Sequence, residues 1–155
     1  MTEIMTETNK DSFSEDIEFS TFYVGGALCG IDILNIQEIN KNFEITKVPQ
    51  ASDYIEGILN LRGRIVTIID LGKKLGLEPV NKSQSKNYRN IIVNSDEEHI
   101  GLLVDSISDV VLAKKSAIES APSNIGGVKG KFFQGVLKTE TQLIGILNID
   151  EVLKE

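Results

Sequence analysis

From residue 17 onward the chain alternates short apolar runs with polar or glycine-bearing turns. FSTFYV and ALCGI flank Gly25-Gly26, a pair that tolerates the positive φ angles of a two-residue hairpin turn. NIIVN and HIGLLV flank the charged stretch SDEE, and ILNL and IVTIIDL flank Arg62-Gly63-Arg64. Segments of four to eight residues, rich in Ile and Val and set off by turns, predict β-strands. DILNIQEI reads as a short helical or extended connection, and LGKKLGL (71–77) is long enough for only one or two helical turns. Short strands at regular spacing favour a small barrel over a layered α/β fold. A closed sheet leaves no edge through which such apolar strands can aggregate.

The pattern occurs twice. Residues 54–75 (YIEGILNLRGRIVTIIDLGKKL) align without a gap on 132–153 (FFQGVLKTETQLIGILNIDEVL), at an offset of 78. Gly57 falls on Gly135, Leu59 on Leu137, Ile68 on Ile146 and Leu75 on Leu153. An earlier match sets GIDILNIQEI (30–39) against GLLVDSISDV (101–110), pairing Gly30 with Gly101, Ile36 with Ile107 and Glu38 with Asp109. Two matches in the same order predict two copies of one architecture. Barrels of about 65 residues each would have marginal cores alone. They are therefore expected to share apolar burial, by packing together or by exchanging strands. The boundary between the copies falls in the polar stretch EPVNKSQSKNY (78–88).

Composition narrows the functional classes. Apolar residues make up 41% and charged residues 25% of the chain, an ordinary globular balance. No apolar run approaches the roughly 18 residues that read as a membrane span. One cysteine, Cys29, excludes an intrachain disulfide and fits a reducing compartment. The net charge of −7 is uneven, since residues 1–18 carry −5 and leave −2 for the remainder. Residues 1–16 are expected to be a mobile acidic tail, neither a secretory signal nor a basic transit peptide. Residues 17–155 are expected to form a single domain with halves of about 17–79 and 89–154. The simplest location is the cytoplasm. An acidic chain without a basic stripe argues against nucleic acid and against anionic membrane as partners.

Catalytic chemistry finds no support. The one histidine, His99, follows Glu97 and Glu98 where a solvated turn is expected, so it lacks a nucleophile to serve as base. Cys29 reads as a buried, inert thiol, and one Cys with one His cannot form the usual zinc sites. The acids are spread along strand ends and helix starts, where N-capping accounts for Asp32, Asp70 and Asp150. GGVKGKFFQG lacks the spacing of a phosphate loop. No catalytic residue, cofactor or metal is expected.

Where the copies match, the residues serve the fold; where they differ, they are candidates for function. Asn60-Leu61-Arg62-Gly63-Arg64 in the first copy aligns with Lys138-Thr139-Glu140-Thr141-Gln142 in the second, a generic polar turn. The first turn places Arg62 opposite DILNIQEI, the segment that carries Glu38. A guanidinium is planar, permanently charged and able to bind a carboxylate bidentately. NLRG is therefore either a tight turn with a solvated arginine or an interaction site in which Glu38 orients Arg62.

These residues carry a family resemblance. YIEGILNLRGRIVTIIDLGKKL resembles the signature of the CheW domain, the coupling protein of bacterial chemotaxis. FYVGGALCGIDILNIQEI is similar to that family's first hairpin and connector, GLLVDSISDVV to its second-half counterpart, and GVLKTETQLIGILNIDEVL to its last strands. The likeness covers about residues 17–154, leaving the acidic extension without a counterpart. It implies a mainly β fold of two interlocked five-stranded SH3-like barrels. It also implies a non-catalytic adaptor that joins a CheA-type histidine kinase to the cytoplasmic signalling tip of methyl-accepting chemoreceptors, and so is recruited to membrane-associated arrays without entering the membrane. Carried over by position, Arg62, Asn60 and Glu38 would face the receptor, with Ile36 and Ile107 lining its apolar part. The kinase-facing edges are apolar in the family, and the sequence does not single out their residues. Two rival readings remain: a scaffold of the same fold in another chemosensory pathway, serving pilus motility or second-messenger output, and a small-ligand-binding barrel.

Overall fold

The structure is a computed structural model that describes residues 16–41, 43–80, 86–94, 98–125 and 127–154. The expected acidic tail lies almost wholly outside these residues, as do most of the SDEE turn and the centre of the polar boundary stretch. In the first half the strands are β1 (Asp16–Val24), β2 (Ala27–Asp32), β3 (Ile36–Asn40), β4 (Ile55–Leu61) and β5 (Arg64–Asp70). A single-turn helix α1 (Leu71–Lys74) follows them. In the second half they are β6 (Arg89–Asn94), β7 (His99–Val104), β8 (Ser106–Lys114), β11 (Phe133–Lys138) and β12 (Leu143–Leu147). This half ends in α2 (Ile149–Leu153) and holds a small added hairpin, β9 (Asn124–Ile125) and β10 (Val128–Lys129).

The two halves exchange strands. One sheet has the order β11-β12-β2-β1-β8 and the other β3-β6-β7-β5-β4, so each takes three strands from one copy and a hairpin from the other. Substituting each strand by its repeat partner converts one order into the other. The joins between copies are parallel: Gly145 and Ile146 of β12 pair with Cys29 and Gly30 of β2, as Thr67 and Ile68 of β5 pair with Ile100 and Gly101 of β7. The fold is thus mainly β, two interlocked five-stranded barrels as the sequence implied. Glycine sits at both joins for steric reasons. A Cβ on Gly30 would lie 3.3 Å from Ile144 and Ile146, and one on Gly101 would lie 2.6 Å from Ile68.

Period-two alternation sorts the apolar side chains into three clusters. Leu59, Val66 and Ile68 fill one barrel, and their repeat partners Leu137, Ile144 and Ile146 fill the other. Between the barrels lies the largest cluster, which mixes Phe22, Cys29 and Ile31 with Ile69, Leu71, Leu102 and Leu147. Each of these side chains contributes about 1.5–3 kcal/mol when fully buried, so a core shared by two barrels stabilises both. Burial pushes the Cys29 thiol up to about 12, as expected of an inert cysteine.

Asp32 and Asp70 cap as expected, accepting from the N–H of Leu34 and of Lys73. Asp150 does not. The cap of α2 is Asn148, whose Oδ1 accepts from Glu151 N–H at 3.3 Å, while Asp150 lies in the first turn. Asn148 is also the repeat partner of Asp70, so the helix begins at the equivalent point in both copies.

Candidate interaction site

The β4–β5 hairpin closes through Leu61 paired with Arg64, leaving Arg62-Gly63 as a two-residue turn. Both residues have positive φ, 53° for Arg62 and 83° for Gly63. Two consecutive positive φ angles are the mark of the type I′ turn, whose twist matches that of the flanking strands and which favours Asn-Gly. Asn60 secures the turn: its Oδ1 accepts from Gly63 N–H at 2.8 Å. An arginine at the first position carries a left-handed backbone at a cost of about 1–2 kcal/mol. Arg62 is the only residue among Asn60, Arg62 and Glu38 whose backbone is unfavourable for its type.

That conformation aims the side chain at β3. Arg62 Nη1 donates to Glu38 Oε1 at 2.5 Å and Nη2 lies 3.5 Å from Oε2, a fork closed onto a carboxylate 24 residues earlier. Asn40 Nδ2 donates to the same carboxylate at 3.3 Å. The hydrogen bond from Arg62, helped by that from Asn40, holds the Glu38 carboxyl below the usual carboxylate range. The same bond raises the Arg62 guanidinium further, so the pair is ionised throughout the neutral range. Arg62 remains 73% exposed and Glu38 only 22%. The acid is set into the sheet, and the arginine lies over it with its outer face open.

Three of the five residues singled out in the sequence therefore meet at one sheet end. Of the other two, Ile36 lies two residues from Glu38 on β3 and Ile107 lies in the other sheet. Ile36 starts β3 beside a register shift, and Ile107 sits at the corresponding shift in β8 of the other sheet; both are half-buried against the cluster between the barrels. The sequence reading missed two members of this region. His99 is the first residue of β7 rather than a turn residue, and Arg64 Nη1 lies 3.5 Å from its Nε2. Comparison of the copies carries the missing signal, because Arg64 aligns with Gln142 and His99 with Leu28. Among the described residues no group of three or more His, Cys, Asp or Glu could hold a metal ion. Nor is any helix among them long and apolar enough to cross a membrane.

Comparisons with known proteins agree with this architecture. The model of the CheW-like domain family matches residues 18–155. The chain belongs to that family. A chemotaxis protein CheW of Treponema pallidum is 31% identical over 140 residues, covering 89% of this chain and 82% of the relative. One from Helicobacter pylori is 29% identical over 148 residues, covering 96% and 88%. Among solved structures, the scaffolding protein TtCheW of Thermoanaerobacter tengcongensis superimposes with a TM-score of 0.81 at 32% identity, over 90% of this chain and 88% of that one. As a CheW-like protein the chain is a non-catalytic coupling and scaffold adaptor of chemotaxis.

Proposed function

We propose that this CheW-like protein joins the helical signalling tip of chemoreceptors to a CheA-type histidine kinase at receptor arrays, and that Arg62 is the centre of its receptor contact. The observation that carries this reading is Arg62 itself. It holds an unfavourable left-handed backbone, is fixed by Glu38 on one side and is open on the other. Strain retained at an exposed, pre-oriented side chain fits a binding role better than a folding role. Asn60 holds the turn that presents it. Ile36 and Ile107, at equivalent edges of the two sheets, supply apolar contact to a helical hairpin laid between the barrels. Apolar anchors give such a groove its affinity and a charged rim gives it register.

The kinase side falls to exposed apolar side chains at one end of the other sheet, the one that contains β1, β2 and β8. Leu34 is 80% exposed and Leu112 64%, and they line one open recess together with Ile17 and Ile33. Exposed leucines clustered at a sheet end suit docking against a like domain.

The test is a kinase-activity titration with receptor signalling fragments and the cognate kinase. Wild-type protein is expected to stimulate strongly. Arg62→Ala should weaken coupling by about 1–2 kcal/mol or more, the range of an interface hot spot, with unchanged circular dichroism. Normal coupling by a folded Arg62→Ala protein overturns the assignment of Arg62. No stimulation by wild type overturns the adaptor role with these partners.

A further inference from the structure

We propose that the recess beside the Arg62–Glu38 pair receives a carboxylate side chain of the helical partner, held by Arg64 next to His99. This rests on the reading of the β4–β5 hairpin as the receptor-facing surface and adds to it a second, separate polar contact. The recess measures about 280 Å³ and is lined by Gln37, Leu61, Arg62, Arg64, Val66 and His99, among others.

The charges at its wall are unequal in their engagement. Glu38 already matches Arg62. Arg64 has no carboxylate within ion-pair distance among the described residues, and its one recorded side-chain contact is His99 Nε2 at 3.5 Å. A guanidinium has five N–H donors and no acceptor, so that contact leaves most of the donor fork open. Its remaining edge matches the geometry of a carboxylate, which it can bind bidentately. Leu61 and Val66 give the recess an apolar wall suited to the methylene groups of an acidic side chain.

The internal repeat provides the control. Strand pairing at the equivalent place in the other sheet has the same register, Leu137 with Ile144 and Lys138 with Leu143. There the positions of Arg62, Arg64 and His99 are held by Glu140, Gln142 and Leu28. Gln142 is engaged within the chain, its Nε2 donating to the Tyr23 hydroxyl at 3.2 Å. The architecture therefore requires none of the three basic groups. One copy gathers them around a recess, in a chain whose net charge is −7. With Glu38 matching Arg62, the cation left without a carboxylate at this wall is Arg64, and its open donor fork is complementary to an acidic side chain.

Binding of a receptor signalling-tip fragment to the full chain, measured by calorimetry at low and high ionic strength, tests this. Arg64→Glu should weaken binding about tenfold or more, and Arg64→Gln by less with a shallower salt dependence, as for a charged contact. Gln142→Glu, in the other copy, should bind within about twofold of wild type. A set of tip fragments, each with one acidic residue changed to Lys, should contain one that restores affinity for Arg64→Glu. Normal binding by Arg64→Glu alongside loss by Arg62→Ala would overturn the recess and leave the receptor reading standing. Loss by Arg64→Glu without any restoring fragment would overturn the carboxylate assignment. A rise in Tm with inorganic phosphate alone, absent in Arg64→Gln, would replace the partner side chain by a free anion. Failure of wild type to bind any tip overturns both readings.

Discussion

The β4–β5 and β11–β12 hairpins are the same object up to their tips. Each carries a register shift at its first glycine, between Ile55 and Gly57 in one and Phe133 and Gly135 in the other. Each sends the same three positions into its own barrel. At the tip they part. The first turn is Arg-Gly with two positive φ angles, whereas the second is Glu140-Thr141, neither of which has positive φ. The second is held by Thr139, whose N–H donates to the Gln142 carbonyl at 2.9 Å and whose Oγ1 accepts from Gln142 N–H at 3.0 Å. The ion pair of the first half has no equivalent either, since Glu38 and Arg62 become Asp109 and Glu140, two acids. A sheet that accepts either tip does not need the strained one. The strain, the cation and its carboxylate partner are thus not requirements of the hairpin, which is what the proposed receptor contact calls for.

Equivalence of the hairpin bodies is open to direct attack. A Cβ on Gly57 would run into the Thr46 carbonyl, and its φ of 150° is one that L side chains rarely adopt. A Cβ on Gly135 would lie 2.6 Å from the Glu119 carbonyl oxygen, without the unfavourable φ. These contacts accompany equivalent isolated bridges, Thr46 with Ile58 and Glu119 with Val136. Gly57→Ala should therefore cost about 3 kcal/mol or more in urea unfolding, and Gly135→Ala about 2 kcal/mol, from overpacking with and without backbone strain. A harmless Gly57→Ala would show that the two bulges are not the same device.

A smaller effect should separate the two helix caps. Asp70 is buried and accepts from the N–H groups of Lys73 and Val80, yet desolvation outweighs those bonds and raises its pKa. A carboxyl whose folded pKa is raised contributes stability below its unfolded pKa and loses it as pH rises through the folded value. Asn148 at the equivalent cap carries no such dependence. Asp70→Asn should thus gain on wild type as pH climbs from below the ordinary carboxylate range to neutrality, read as a widening difference in Tm. A constant difference across that range would mean that burial does not govern this acid.

The least expected change in stability sharpens the contrast at the turns. Arg62→Asn converts the turn to Asn-Gly, the favoured type I′ pair, and gives up an exposed ion pair of the kind that contributes little. Stability should rise by up to about 0.5–1 kcal/mol in thermal unfolding while receptor coupling falls. If stability and coupling fell together, Arg62 would belong to the fold after all.

Much of the architecture was determined by the sequence alone. Alternation and turn residues are local, so the strands, the Gly25-Gly26 hairpin and the single-turn α1 follow from the short-range preferences of a few adjacent residues. The equivalent glycines and the unequal turns are legible in the repeat itself. What the tertiary structure decided was partnership at long range. No local pattern says that β3 leaves its own copy to pair with β6, or that β5 joins β7 in parallel across the boundary. Those pairings let two small barrels, each marginal alone, share one apolar core. The same exchange brings β7 beside β5, and so sets His99, passed over in the sequence as a turn residue, against Arg64. The α2 cap lies between these cases: the acids of NIDE pointed to a helix start, and only the start itself decided that Asn148 rather than Asp150 accepts the backbone N–H.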